Sequence, residues 1–300
     1  MLLNRNAAAA HDADLQPAAL GERLAAAGFA AEVAAVPGDE LAAAARRAAA
    51  AGAPAVVAAG GDGTVGTLAG AVAGTATALG VLPLGAFNHF ARDLGIADDL
   101  DEAAAVLAAG HRRRLDLVEV TGAGDDEPRP LVNNAILGFY PQAVRRRRGG
   151  GGRVRKALAT SRALVPTLRR PPFLDLRLTG NGRERRAVTP FLFVGNNEYR
   201  MSLFAFGARP RLDDGRLFVS LVRSSSRRSL LGLLLLYAVA DVGRHRRVER
   251  WSMDGLTVES DRPELDVFVD GELLRLATPI SFRVRPGALT VLAPPPGEGR

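Results

Sequence analysis

The chain has no cysteine, which excludes disulfides and thiolate metal sites and leaves the redox compartment unreadable from cysteine usage. Aromatic residues are scarce, at 5% with a single tryptophan, so a core must be built mainly from Ala, Leu and Val. Lysine is almost absent as well, and nearly all of the 39 basic residues are arginine. With the abundant alanine, this is a codon-level bias of a GC-rich genome and carries no mechanism. Long apolar runs are also missing. The longest, residues 230–240, is broken by Gly232 and Tyr237 and falls short of the roughly 20 residues needed to span a bilayer. The opening residues 1–10 lack the apolar core of a signal peptide. The expected location is therefore cytoplasmic, with peripheral contact to the inner membrane face allowed.

What is present is enough for a large core: 300 residues, 47% of them hydrophobic, or one large domain or two ordinary ones. The net charge of +7 suits anionic lipid, phosphorylated substrates or nucleic acid. Nucleic acid is disfavoured, because the basic stretch Arg145 to Lys156 has no aromatic residues interleaved for base stacking. The same stretch suits an anionic membrane surface, or a plain solvated loop. The run 230–237 suits a lipid-acyl slot or ordinary core. His89 and His111 are lone histidines with no metal role.

Read in order, the first third alternates strand and helix. Strands are predicted at 1–3, 31–36, 54–59 and 78–84, and helices at 15–27, 39–51 with Asp39 as N-cap, 65–73 and 100–109 with Gly110 at its end. Such alternation argues a parallel sheet with crossover helices. Beyond His111 the texture changes to short strands: 112–120, 131–137, 173–179, 187–195, 216–222, 255–260, 265–269, 280–284 and 289–293. That spacing indicates an antiparallel sandwich or barrel, with helical inserts at 153–168 and 229–242. The expected division is 1–113 and 114–293, with the last strand returning to the first domain and a tail at 294–300. No internal repeat is apparent.

One stretch, residues 56–96, carries the chemistry. An apolar run enters Gly60-Gly61-Asp62-Gly63-Thr64, and a second apolar run ends in Pro83-Leu84-Gly85 and a loop with Asn88. Glycines let a backbone approach a ligand closely, and amides at a helix start can hold phosphate oxygens. Asp62 would then need a cation or a donor hydroxyl. An ordinary strand-to-helix turn is the alternative. The stretch is neither a Walker loop nor a G-x-G-x-x-G fingerprint.

Several motifs in order make the resemblance specific. GGDGT at 60–64, PLGAFNHFARDLGI at 83–96, Asn133-Asn134-Ala135, Val194-Gly195-Asn196-Asn197, Leu212-Asp213-Asp214-Gly215 and Val269-Asp270-Gly271-Glu272 resemble the diacylglycerol kinase and bacterial lipid kinase family. That family is related to sphingosine kinases and NAD kinases. The resemblance covers most of the chain. It implies an α/β nucleotide domain plus a β-rich antiparallel sandwich, and ATP-dependent phosphorylation of a lipid hydroxyl. It also implies nucleotide binding at an interdomain cleft by Asn4, Gly60, Gly61, Asp62, Gly63, Thr64, Gly85 and Asn88. Glu272 is implied as general base, with Asp270 assisting and Asp62 orienting phosphate, Mg²⁺ or acceptor. Asp214 and Asp213, with the carbonyls of Arg211 and Arg216, are implied as a Mg²⁺ loop, which hard oxygen ligands suit. As bare residues, Asp270-Gly271 and Asp214-Gly215 are also ordinary turn signals.

Three departures from the family pattern stand in this chain. Asn4 is followed by Arg5-Asn6-Ala7 without the usual glycine, Ala86 replaces a threonine, and no threonine stands near Val36-Pro37-Gly38. Each would remove about 1 kcal/mol of nucleotide contact, one net hydrogen bond. The expected partners are a lipid alcohol, diacylglycerol-like, and an anionic membrane, with no nucleic acid and a homodimer allowed. The alternatives are a sphingoid base, another lipid alcohol or NAD as acceptor, or a non-catalytic nucleotide- or lipid-binding homologue. NAD fits least, since Asn196-Asn197-Glu198-Tyr199 lacks the NAD kinase surroundings.

Overall fold

The computed structural model describes residues 1–4, 16–138, 141, 173–199, 209–223 and 248–295. Contacts divide the chain into two units, Met1–Leu117 with Arg285–Arg300, and Val118–Val284. The helical inserts expected at 153–168 and 229–242, the basic stretch 145–156, the apolar run 230–237, the loop after Asn4 and the tail from 296 lie outside the described residues.

The first unit is an α/β domain on a parallel sheet. Its strands are β1 (Leu2–Asn4), β2 (Ala34–Val36), β3 (Ala55–Gly60) and β4 (Ala78–Pro83), in the order β2-β1-β3-β4. Helices α1 (Pro17–Ala26), α2 (Leu41–Ala50) and α3 (Asp62–Val72) connect them, and α4 (His89–Asp93) and α5 (Leu100–Ala109) follow β4. β3 and β4 are buried almost throughout, as strands covered on both faces must be. Helix α5 has clear punctuation. The Asp99 side chain accepts from the amides of Asp101 and Glu102 at 2.9 and 3.0 Å, and Gly110 closes the helix at φ 67°.

The helix after Pro37 departs from expectation. Gly38–Glu40 form a 3₁₀ turn, and α2 starts at Leu41 with no side-chain cap. Glu40 N–H bonds the Pro37 carbonyl at 3.1 Å, which puts Asp39 inside a turn and denies it the extended backbone a cap needs. Helix α3 begins at Asp62, three residues before the expected start, so the glycine loop itself is the first helical turn.

The second unit is an antiparallel sandwich. One sheet runs β12 (Val248–Met253), β11 (Leu217–Val222), β10 (Phe191–Asn196), β7 (Asn134–Gly138), β14 (Glu264–Val269), β15 (Glu272–Ala277). The other pairs β9 (Arg183–Thr189), β8 (Leu174–Gly180), β13 (Gly255–Ser260) and the start of β16 (Ile280–Leu292), while β5 (Arg112–Thr121) pairs β6 (Arg129–Leu131). Alternation divides the six-stranded sheet's faces. Leu192, Val194, Leu217, Val219 and Val267 enter the main core, while Ile136, Phe193 and Phe218 join Tyr199 in an aromatic cluster on the opposite face. Each fully buried Leu or Val side chain contributes about 1.5–3 kcal/mol.

Several expected strands resolve differently. The predicted strand 187–195 is two strands in different sheets, broken at Pro190, which has no N–H for the ladder. Buried Thr189 closes the break, donating to the Phe191 and Val222 carbonyls at 2.7 Å. The strands expected at 280–284 and 289–293 are one, β16, whose end runs parallel to β4 through Val291 and Leu79. Within the first unit, Gly287 N–H in β16 donates to the buried Asp116 carboxylate at 2.8 Å, and the Arg114 guanidinium donates twice to the Gly287 carbonyl.

Candidate functional site

Parallel strands put their carboxyl ends on one edge, so Asn4, Gly60 and Pro83 come together at the ends of β1, β3 and β4. The Asn4 amide donates to the Thr64 hydroxyl at 3.0 Å, and Thr64 is buried over Gly60. A Cβ at Gly60 would lie 2.5 Å from the Thr64 hydroxyl oxygen. The two loops touch backbone to backbone: a Cβ at Gly85 would come 2.3 Å from the Gly61 Cα. Asp62, at the start of α3, accepts from the amides of His89 and Phe90 at 3.2 and 3.1 Å. It thereby ties the first loop to the second. Asn88 is buried in the left-handed region, φ 48°. Its side-chain oxygen accepts from Gly85 N–H at 2.9 Å, and its NH₂ donates to Pro83 O, Gly85 O and Asp98 Oδ1, the last at 2.8 Å. Asp98 also holds Arg92 at 2.9 Å. Asn88 therefore spends its amide on building its own loop. Phe87 is 46% exposed and lies nearly parallel to the His89 ring, with centroids 5.6 Å apart.

The second unit gathers its motifs by antiparallel pairing. The start of β7, the end of β10, the start of β11 and the end of β14 all lie at one end of the six-stranded sheet. There Asp270-Gly271 forms a two-residue hairpin turn, with φ 44° and 99° and Val269 paired with Glu272. Asp270 points its carboxylate inward. It accepts from the amides of Val132 at 2.6 Å, Asn133 at 2.8 Å and Asn134 at 3.0 Å. Burial pushes its pKa up to about 7, against the pull of those three amides and the nearby Arg209 charge. Glu272 is exposed at the start of β15, and its carboxylate has no hydrogen bond or ion pair among the described residues.

Buried Arg209 bridges this end of the sheet, bonding the Val132 and Asn196 carbonyls and the Asn133 side-chain oxygen at 2.6, 3.2 and 2.8 Å. Asn197, at φ 66°, accepts from Asp214 N–H at 2.9 Å through its side chain, and its own N–H bonds the Arg216 carbonyl at 2.9 Å. Asp213 and Asp214 both pair with Arg211, at 3.2 and 2.9 Å. Among the described residues no three His, Cys, Asp or Glu side chains cluster as a metal site. A cation at this loop would therefore depend on the Arg211 and Arg216 carbonyls as well as the two carboxylates. Four non-glycine residues have positive φ among those described, and three of them, Asn88, Asn197 and Asp270, belong to these clusters. Sparsely populated backbone is thus concentrated where the motifs lie.

The chain matches two known domain families, one in each part of the sequence. Residues 1–120 match the diacylglycerol kinase catalytic domain, and residues 143–293 match the YegS C-terminal NAD kinase beta sandwich-like domain. A Pseudomonas syringae pv. tomato protein named "Probable lipid kinase YegS-like" is 30% identical over 246 residues, covering 80% of this chain and 75% of its own. The chain belongs to the YegS-like and diacylglycerol kinase family of lipid kinases. A Mycobacterium tuberculosis diacylglycerol kinase is 29% identical over 248 residues, covering 80% of this chain and 76% of its own. A crystal structure of a diacylglycerol kinase from Bacillus anthracis superposes with TM-score 0.68 at 18% identity, covering 98% and 96%, which bears on the fold. For this lipid kinase family member, the structure brings Asn4, Gly60–Thr64, Gly85 and Asn88 together in one unit. It brings Asp213, Asp214, Asp270 and Glu272 to one sheet end in the other. Arg209 and Asp98 escaped the sequence reading, because an arginine or aspartate in a chain rich in both carries no local signal.

Proposed function

We propose that this chain transfers the γ-phosphoryl group of ATP to the hydroxyl of a diacylglycerol-like lipid. The observation that carries this reading is the division of labour in one hairpin turn. Asp270 is locked to three amides, while Glu272, two residues on, is exposed and free to take a proton. In the reaction the lipid oxygen bonds to the γ-phosphorus, the bond from that phosphorus to the bridging oxygen breaks, and ADP leaves. The hydroxyl proton passes to the Glu272 carboxylate. The first amides of α3 and the Thr64 hydroxyl suit the nucleotide phosphates, since free N–H groups and the helix dipole favour anions there. Asp213 and Asp214 with the Arg211 and Arg216 carbonyls offer the hard oxygens that Mg²⁺ takes, and the exposed Arg211 side chain can swing away at little cost. Bound there, the ion would supply positive charge that steadies the loop. Among the described residues no helix is long and apolar enough to cross a membrane. The reading places the working protein in the cytoplasm at an anionic membrane surface, where such a lipid resides.

The test is labelled ATP with vesicles that contain diacylglycerol, a sphingoid base or an isoprenoid alcohol. Label should enter the lipid extract with diacylglycerol, and Glu272→Gln should reduce the transfer. A second reading, a non-catalytic nucleotide- or lipid-binding homologue, is favoured by Ala86 and by the internally spent Asn88 amide. No lipid-dependent transfer with any acceptor, together with a basal ATP hydrolysis unchanged in Glu272→Gln, would select it.

A further inference from the structure

Burying a guanidinium is costly unless its donors are met. Arg209 is 4% exposed, and its fork is used in specific directions. Nη1 donates to Val132 O and Asn196 O, Nη2 donates to Asn133 Oδ1, and the guanidinium carbon lies 5.5 Å from the Tyr199 ring centroid. Val132 and Asn133 are also two of the three residues whose N–H groups hold Asp270. They are gripped from both sides: carbonyl and side chain by Arg209, amide by Asp270. None of these contacts touches Glu272, yet the turn that presents Glu272 begins at Asp270.

We propose that Arg209 is a positioning residue for Glu272, acting through Val132 and Asn133 on the amides that hold Asp270 and so on the orientation of the whole turn. The effect on turnover rests on the kinase reading, whereas the link from Arg209 to the Asp270 amides does not. Lysine cannot replace this fork, because a single ammonium does not deliver two directed sets of bonds in one plane. A base misplaced by about 1 Å loses up to about 100-fold in rate.

The test uses Arg209→Lys in the full chain. The expected result is a kcat about 10–100-fold lower with KM for ATP and lipid within about twofold. Amide hydrogen exchange at Asn133 and Asn134 should rise about tenfold or more while Val219 in β11 keeps its protection. Wild-type kcat, or protection lost evenly across the sheet, would overturn the proposal in favour of a merely structural arginine. If Arg209→Lys does not fold, Asn133→Ala removes only the Nη2 acceptor. A several-fold loss in kcat at unchanged KM then supports the link, and an unchanged kcat sinks it. Should the wild-type chain transfer no phosphate to any lipid, the kinase reading falls, and exchange at Asn133 and Asn134 alone decides the linkage.

Discussion

The loops at the edge of the parallel sheet and the loops at the end of the six-stranded antiparallel sheet each gather distant residues, but with different materials. The first cluster is made by close backbone contact. Gly61 and Gly85 touch, Gly60 makes room for Thr64, and Asp62 and Asn88 stitch amides between loops. The second is made by buried polar side chains, with Arg209, Asn133, Asn196 and Asn197 joined in a connected network. Added volume should therefore break the first, and a removed polar group the second. The second cluster also separates a held carboxylate from an exposed one: Asp270 accepts from three amides, while Glu272 has no side-chain partner among the described residues.

The largest expected effect tests that separation. Glu272→Gln should cut lipid phosphorylation by about 10²–10⁴-fold, yet shift stability by no more than about 0.5 kcal/mol, as an exposed surface substitution does. Equal losses of activity and stability would erase the distinction between held and free carboxylates.

Next comes the pH dependence of Asp270. Its folded pKa of about 7 lies above the ordinary 3.8, so the folded state favours the protonated carboxyl. That contribution is fully present below about pH 4 and is lost as the pH rises through about 7. The rise corresponds to about 4 kcal/mol, at about 1.4 kcal/mol for each tenfold change. Urea midpoints across pH 4 to 8 should fall for the wild type and flatten in Asp270→Asn, and parallel curves would remove Asp270 from the account.

Gly85→Ala tests the first cluster. The new Cβ meets the Gly61 backbone at 2.3 Å, which no rotamer relieves. The expected cost is about 1–3 kcal/mol with loss of ATP binding, read by thermal unfolding and nucleotide titration. Unimpaired ATP binding would show that the loop contact is dispensable.

The smallest effect is a gain. Ala86→Thr restores the hydroxyl that the family pattern carries, and one net hydrogen bond is worth about 1 kcal/mol. The Kd for ATP should fall about fivefold, and an unchanged value would place Ala86 away from the phosphates.

Legibility followed the range of the interactions. Strand and helix alternation, the helix end at Gly110, and the Asp270-Gly271 turn are local, and each was readable from a few neighbouring residues. Pro190 was in plain view, but its consequence was not: whether a proline bends a strand or sends the chain to another sheet depends on what lies on either side. The predicted Asp39 cap failed for a similar reason, since a 3₁₀ turn after Pro37 competes with it and the sequence pattern suits both. The continuity of β16 through Pro286-Gly287 depends on Asp116 and Arg114, about 170 positions away.

By itself the sequence determined the class of the two domains and which carboxylates stand in the motif turns, because hydrophobic periodicity and turn signals belong to residues and short segments. Only the tertiary structure decided what those carboxylates do. Asp62 and Asp270 face backbone amides and serve as anchors, whereas Glu272 remains exposed. Burial and donor geometry set that difference, and both are properties of the assembled strand ends.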